Sequence, residues 1–139
     1  KQTGLTLADI DVFEIHEAFA GQVLANLKAL ASDEWCKKQL GLDKAIGAIP
    51  MEKINRWGGS LAIGHPFGAT GGRLITMAAN RLHKEGGKYA LLAACAAGAH
   101  GHAMIIKKYE TTEQKVKNVA KNVIAAAEEK LEDLKEKIQ

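Results

Sequence analysis

Residues 58–73 constrain the fold more than any other segment of this 139-residue chain. Six of these sixteen residues are glycine, so the backbone is free to adopt positive φ and to lie close to another segment or a ligand. His65 lies in the middle of the segment, and Pro66 is suited to the first position of a helix that we predict from Phe67 to about Lys84. A histidine at such a junction lies beside free backbone N–H groups, which favour an oxyanion or a thiolate. The alternative is a glycine-rich turn that holds a histidine by chance.

The hydrophobic patterns on either side of this segment predict an α/β fold. A β-rich run is followed by an amphipathic pattern, and later a nearly continuous apolar run indicates a strand covered on both faces. In chain order, the predicted elements are a strand at 12–15, a helix at 17–31, a surface segment with a short helix at 32–49, the helix at 67–84, a strand at 89–94, a small-residue turn at 95–101 and a strand at 102–107.

Two further residues with reactive side chains lie where predicted strands end. His16 follows the first strand, and Cys95 ends the second. Ligands of open α/β sheets collect at the carboxyl ends of strands, and an imidazole beside a thiol is able to take its proton and hold the thiolate. The alternatives are a hydrogen-bonded structural histidine and a cysteine that acts as a small buried hydrophobic residue.

Composition excludes several classes of function. The net charge is +3, with 19 basic and 16 acidic residues that are scattered along the chain, so nucleic acid is not expected as a partner. Cys36 and Cys95 form neither a disulfide framework nor a metal-binding pattern, and Cys36 is expected to be an ordinary packed or half-exposed thiol. We expect no transmembrane segment, and the first residues resemble neither a signal peptide nor a transit peptide.

Three segments resemble, in their usual order, the C-terminal signatures of the thiolase family. They are His-Glu-Ala-Phe at 16–19, Gly-Gly-Ser with Gly-His-Pro and Gly-Ala-Thr-Gly within 58–71, and Cys-Ala-Ala-Gly with Gly-His-Ala-Met within 95–104. The resemblance covers roughly residues 4–109. Histidine before Glu-Ala-Phe, where many thiolases have asparagine, is typical of the members found in mitochondrial trifunctional fatty-acid oxidation complexes and their bacterial counterparts.

The resemblance implies a partial thiolase-fold C-terminal domain at 1–109, incomplete at its N-terminal edge, with a mixed sheet and helices on its faces. It also implies CoA-dependent cleavage of a 3-ketoacyl-CoA, with coenzyme A as a substrate and with no metal or bound cofactor. His65 then takes the proton of a nucleophilic cysteine, Cys95 acts as acid and base on carbon, and His16 orients a water in an oxyanion hole. Ala97 and Gly98 match a second, backbone oxyanion site. A mitochondrial location and an oligomer follow from the resemblance alone.

This sequence departs from the family in two respects. The nucleophilic cysteine of thiolases belongs to an N-terminal half that these residues do not include, so we expect a complementary half, or other protein chains, as partners. Ala99 replaces the usual glycine of the turn after Cys95, and alanine would strain that turn if it requires φ > 0. The alternatives are a non-catalytic adaptor subunit derived from a thiolase and a truncated product with an exposed apolar face.

Residues 110–139 extend past the point where such thiolases end. They contain neither glycine nor proline, and their apolar residues recur at four- and three-residue steps, which predicts an amphipathic helix. The predicted stripe consists of Val116, Val119, Val123, Ile124, Ala127, Leu131, Leu134 and Ile138. It is expected either to dock on its own domain or to contact another chain as a coiled coil.

Overall fold

The structure, a computed structural model, describes residues 3–137, and the chain divides into two compact units between Lys108 and Tyr109. Short 3-10 turns lie at Leu7–Asp9 and Met51–Lys53, and a single π turn at Cys36–Leu40. The remaining elements of the first unit are β1 (Val12–Ile15), α1 (Ala20–Leu30), α2 (Asp33–Trp35), α3 (Ser60–Ile63), α4 (Phe67–Lys84), β2 (Tyr89–Ala96) and β3 (His100–Lys107).

The three strands form one mixed sheet in the order β1-β2-β3. β1 runs parallel to β2, with Val12 opposite Ala90, and β2 is antiparallel to β3, with Cys95 opposite Gly101. The predicted α/β class and mixed sheet are therefore confirmed. Because β1 and β2 are parallel, their carboxyl ends lie at the same edge, where the residues after β1 meet the end of β2.

Side chains alternate between the two faces of the sheet, and each face has its own apolar cluster. One cluster packs α4 on the sheet and consists of Val12, Leu74, Ala78, Leu82, Ala90 and Leu92. The other contains Ile10, Phe13 and Ile49, with Leu27 and Leu30 of α1 packed against it. The sheet is thus covered on both sides, as the continuous apolar run of β2 predicts.

The structure corrects three details of the sequence prediction. α1 begins at Ala20, because Glu17 is bound to the loop before α3 instead of starting the helix. Pro66 is the N-cap residue of α4 instead of its first helical residue, with an extended conformation at φ −75° and ψ 106°, while the helix begins at Phe67 as predicted. Cys95 lies inside β2, because the ladder with β3 continues to Ala96 and leaves a tighter turn than predicted.

A buried ion pair joins α4 to β1. Arg81 Nη1 lies 2.8 Å from Glu14 Oε1, and both side chains are almost fully buried. Arg81 also donates to the Lys53 carbonyl at 3.2 Å and bonds to Glu85 on its own helix. Burial raises the pKa of Glu14 above its ordinary value, and the bond from Arg81 opposes that rise. Arg81 therefore stabilises a buried carboxylate as well as crosslinking three segments.

The second unit is the helix α5 (Thr112–Glu136). It begins with a capping box, in which Thr111 accepts from the Gln114 N–H and Gln114 accepts from the Thr111 N–H. The predicted apolar stripe lies on this helix as far as Leu134, and Ile138 lies outside the described residues. Among the helices that the structure describes, none is long and apolar enough to cross a membrane.

Candidate functional site

An open cavity of about 840 Å³ lies at the edge where β1 and β2 end. Its walls come from the end of β1, the start of α1, and the hairpin of β2 and β3. His16, His65 and Cys95, which lie far apart in the sequence, all line it. Ala97 lines it as well, whereas Gly98 lies in the hairpin turn and is not among the lining residues. The fold therefore brings the two imidazoles and the thiol to one space.

His65 is held by the hydroxyl of Thr70 in the first turns of α4. The distance from His65 Nδ1 to Thr70 Oγ1 is 2.7 Å, and Thr70 Oγ1 donates to the Pro66 carbonyl at 3.2 Å. A hydroxyl has one proton, so Thr70 accepts from Nδ1–H while it donates to Pro66. The lone pair of the neutral ring is then on Nε2, which leaves this atom free to accept a proton.

His16 is almost fully buried, and its ring lies directly beside that of His65. The ring centroids are 4.2 Å apart, with the planes inclined by 41°. His16 Nδ1 lies 2.8 Å from the Ser60 hydroxyl. Burial lowers the pKa of His16, and the charges of His65 and Arg73 lower it further, while Glu17 opposes them. His16 is therefore a neutral imidazole at pH 7.

Asn55 pairs through its side chain with Ile15, the last residue of β1. Its amide accepts from the Ile15 N–H and donates to the Ile15 carbonyl, both at 2.8 Å, as a neighbouring strand would. The same amide donates to Glu17 at 2.6 Å, and Glu17 accepts from the Leu61 N–H at 3.0 Å. These bonds attach Asn55 and the first turn of α3 to the residues on either side of His16.

Asn55 adopts positive φ, at 44°. A Cβ at Gly59 would overlap the Glu17 carboxylate, so glycine is required for this close approach. Sequence analysis did not identify Asn55 or Glu17 as supports of the site, although the density of glycine at 58–72 indicated that two segments approach closely there.

Cys95 is half-buried, and its Sγ lies 3.6 Å from Gln22 Oε1 of α1. The turn that follows contains Gly98 at φ 82° and Ala99 at φ 60°. Position 99 thus adopts the left-handed conformation that glycine favours, and alanine there costs roughly 1–2 kcal/mol. The strain lies two residues from Ala97, whose backbone is a candidate oxyanion donor.

Three further side chains that support the histidines were missed by sequence analysis. Thr70 and Ser60 lie within the motifs, and Arg73 ends the glycine-rich segment, but nothing in the motifs indicates which ring each one contacts. Ser60 and His16 are 44 residues apart in the sequence, and only the folded chain brings them together.

Comparison with known protein families identifies the family to which this domain belongs. The model of the thiolase C-terminal domain matches residues 1–108. The chain belongs to the thiolase family. The resemblance seen in the three motifs is confirmed, and the mixed sheet with its helices is that of the C-terminal domain of this fold.

Several known proteins are similar to this chain. It is 62% identical over 109 residues to the mitochondrial trifunctional enzyme subunit beta of Bos taurus, an alignment that covers 78% of this chain and 23% of the relative. It is 63% identical over 108 residues to a probable 3-ketoacyl-CoA thiolase of Caenorhabditis elegans, with 78% and 24% covered. The crystal structure of human mitochondrial 3-ketoacyl-CoA thiolase superposes with a TM-score of 0.58 and 36% identity, over 78% of this chain and 23% of that one.

The chain thus spans about a quarter of the length of the relatives it matches. The human enzyme has also been solved in complex with CoA. Within the residues that the structure describes, no group of three histidine, cysteine, aspartate or glutamate side chains is placed to hold a metal ion.

Proposed function

We propose that this chain is the C-terminal part of a 3-ketoacyl-CoA thiolase and supplies the acid and base groups of its active site. The nucleophilic cysteine comes from a complementary N-terminal half, and coenzyme A takes part as a substrate. The observation that carries the proposal is the meeting of His65, His16 and Cys95 at one open cavity. The names of the similar proteins support the choice of substrate.

In this proposal His65 Nε2 takes the proton of the partner cysteine, and the resulting thiolate attacks the 3-keto carbon of the substrate. The bond between C2 and C3 then breaks, which leaves an acyl-cysteine and the enolate of acetyl-CoA. Cys95 donates its proton to the enolate carbon, and then takes the proton of the incoming CoA thiol. Attack by the resulting CoA thiolate on the acyl-cysteine releases the shortened acyl-CoA and the partner thiolate. His65 then returns its proton to that thiolate, which regenerates both cysteines.

The developing negative charges require donors within the cavity. His16 serves one oxyanion through a water that it orients, and the backbone near Ala97 and Gly98 serves the other. Removing one such donor costs about 3 kcal/mol of transition-state stabilisation in studied enzymes. We further propose an oligomeric enzyme in mitochondria, on the basis of the mitochondrial enzyme subunits among its relatives.

The test is reconstitution of the chain with a thiolase N-terminal half, followed by an assay of CoA-dependent cleavage of a 3-ketoacyl-CoA. Cys95→Ala and His65→Ala are each expected to lower kcat at least about 100-fold. Cys36→Ala is the matched control, because Cys36 is fully buried and its Sγ lies 3.6 Å from the Ala29 and Leu30 carbonyls, away from the cavity.

Full activity in Cys95→Ala would refute the assignment of the acid and base groups. An assembly that binds no CoA and contains only chains unrelated to thiolases would refute the enzymatic role, and would favour the adaptor role that the sequence also allows. Native mass spectrometry of the purified assembly distinguishes these results.

A further inference from the structure

Ser60 lies between His16 and a cation that no motif assigned to the site. Its Oγ is 2.8 Å from His16 Nδ1 and 2.7 Å from Arg73 Nη2. Both Ser60 and His16 are buried, with 6% and 5% of their surface exposed. Arg73 Nη1 lies 3.7 Å from Met77 Sδ, and its buried Nε has no hydrogen-bond partner in the described part of the chain. Within residues 3–137, Ser60 is thus the one short hydrogen-bond partner of this guanidinium.

The chemistry of the three groups sets the direction of the hydrogen bonds. A guanidinium only donates, so Ser60 Oγ accepts from Arg73. The Ser60 proton then needs an acceptor, and within the described residues the one atom in reach is His16 Nδ1. If Nδ1 carried a proton instead, a buried hydroxyl proton would have no partner, which is unfavourable. The bonds therefore run from Arg73 to Ser60 and from Ser60 to His16.

We propose that Ser60, oriented by Arg73, is a positioning residue that holds the His16 ring with its proton on Nε2, free to donate into the cavity. The neighbouring His65 has the opposite arrangement, because Thr70 accepts its Nδ1 proton and leaves Nε2 as an acceptor. Two adjacent rings, with centroids 4.2 Å apart, thus carry a donor and an acceptor beside the same cavity. The importance of this arrangement for turnover rests on the proposed function, but the tautomer itself does not.

The tautomer is measured by NMR on the chain labelled with ¹⁵N-histidine, both free and assembled with an unlabelled N-terminal half, at pH 7.5. The His16 signals are assigned by their loss in His16→Gln. We expect the shift of an unprotonated nitrogen at Nδ1 and of a protonated nitrogen at Nε2. Ser60→Ala is expected to bring the two shifts together as the tautomers mix, and Ser60→Thr, which keeps the hydroxyl, to restore them. A proton on Nδ1 in the unaltered chain overturns the proposal whatever the activity.

The variant Arg73→Met is a second test of the His16 tautomer. It removes the donor that makes Ser60 act as an acceptor, so we expect the two His16 tautomers to mix, which the loss of a nearby positive charge alone would not cause. The matched control is Thr76→Val, which removes a hydroxyl on the same helix that bonds only to the Gly72 carbonyl. An unchanged His16 spectrum in Arg73→Met contradicts the role of Arg73.

Kinetics on the assembled enzyme separate this inference from the proposed function. Ser60→Ala is expected to lower kcat about tenfold with little change in KM. This loss is smaller than the roughly 10²–10³-fold loss of kcat expected for His16→Ala, which removes the donor itself. Added to His16→Ala, the Ser60 change is expected to lower kcat no further. A further tenfold loss would show that Ser60 acts independently of His16. An assembly with no activity refutes the proposed function and leaves the NMR result standing.

Discussion

Removal of Arg81 tests the energetics of the α4–β1 contact. Arg81→Met keeps most of the side-chain volume but leaves Glu14 buried, with no counter-charge within 4 Å among residues 3–137, and it removes the bond to the Lys53 carbonyl. Breaking a buried pair from one side costs about 3–5 kcal/mol. Domains are stable by about 5–15 kcal/mol, so this single change removes a large part of the total.

Urea denaturation followed by circular dichroism measures the loss. With a slope of about 2 kcal/mol per molar, the midpoint is expected to fall by about 2 M. Lys84→Met is the matched control on the last turn of the same helix. The Lys84 ammonium is exposed and lies 5.2 Å from the ring centroid of Trp57, so its loss is expected to cost at most about 1 kcal/mol.

The double variant Glu14→Leu/Arg81→Met removes both buried charges. We expect it to be more stable than Arg81→Met alone by at least about 2 kcal/mol, because the uncompensated carboxylate is the main source of the loss. The penalty of Arg81→Met is also expected to shrink between pH 7.5 and pH 5. Burial raises the pKa of Glu14, and without Arg81 the folded state binds a proton at a pH where the unfolded state does not. A double variant as unstable as the sum of its parts, or a penalty that does not change with pH, would refute this reasoning.

Five other substitutions, at four positions, test the turn and the loop around the site by the same denaturation assay. Ala99→Gly is expected to raise the free energy of unfolding by about 1 kcal/mol, because glycine adopts φ 60° without a Cβ penalty, and a decrease would contradict the strain. Asn55→Ala is expected to lower it by roughly 3 kcal/mol, through lost hydrogen bonds and positive φ. Asn55→Gly, which relieves only the φ penalty, should fall between that variant and the unaltered chain. Gly59→Ala is expected to lower stability by about 1–3 kcal/mol, because its Cβ displaces the Glu17 carboxylate, and an unchanged midpoint would show that this carboxylate moves freely. The pKa of His16 is lower in the folded chain than in the unfolded chain, where it is about 6.5. His16 therefore contributes its full share of stability above about pH 6.5, and this share decreases as the pH falls below that value. His16→Gln should remove this part of the pH dependence, and identical pH profiles would contradict the shift.

The sequence was sufficient to predict those parts of the structure that depend on residues close together in the chain. The strand β1 and the helix α4 follow from residues that are neighbours in the chain, and the position of His16 follows from the end of β1. The apolar run of β2 likewise gave a strand covered on both faces, because burial of both faces removes the alternation of polar residues.

The supports of the site were not predictable in the same way. Asn55 replaces a strand partner through its side chain, so no β pattern marks it. Ser60 and Arg73 contact each other across a helix boundary, and their joint effect on His16 depends on how the loop docks on β1. The sequence predicts that the strand ends at Cys95, because the small residues around it are typical of a turn. In the structure, the β2–β3 ladder continues through these small residues as far as Ala96.

The β2–β3 hairpin carries both Cys95 and the turn that contains Ala97, while His65 is attached to a separate helix. Thermal tilting of this hairpin would move the sulfur and the backbone amides together as one rigid unit, so the distances between them would change little. The distance between the hairpin and the His65 ring would change instead. In the enzyme proposed above, the distance from the imidazole to the hairpin would thus be the one that adapts to substrates of different bulk.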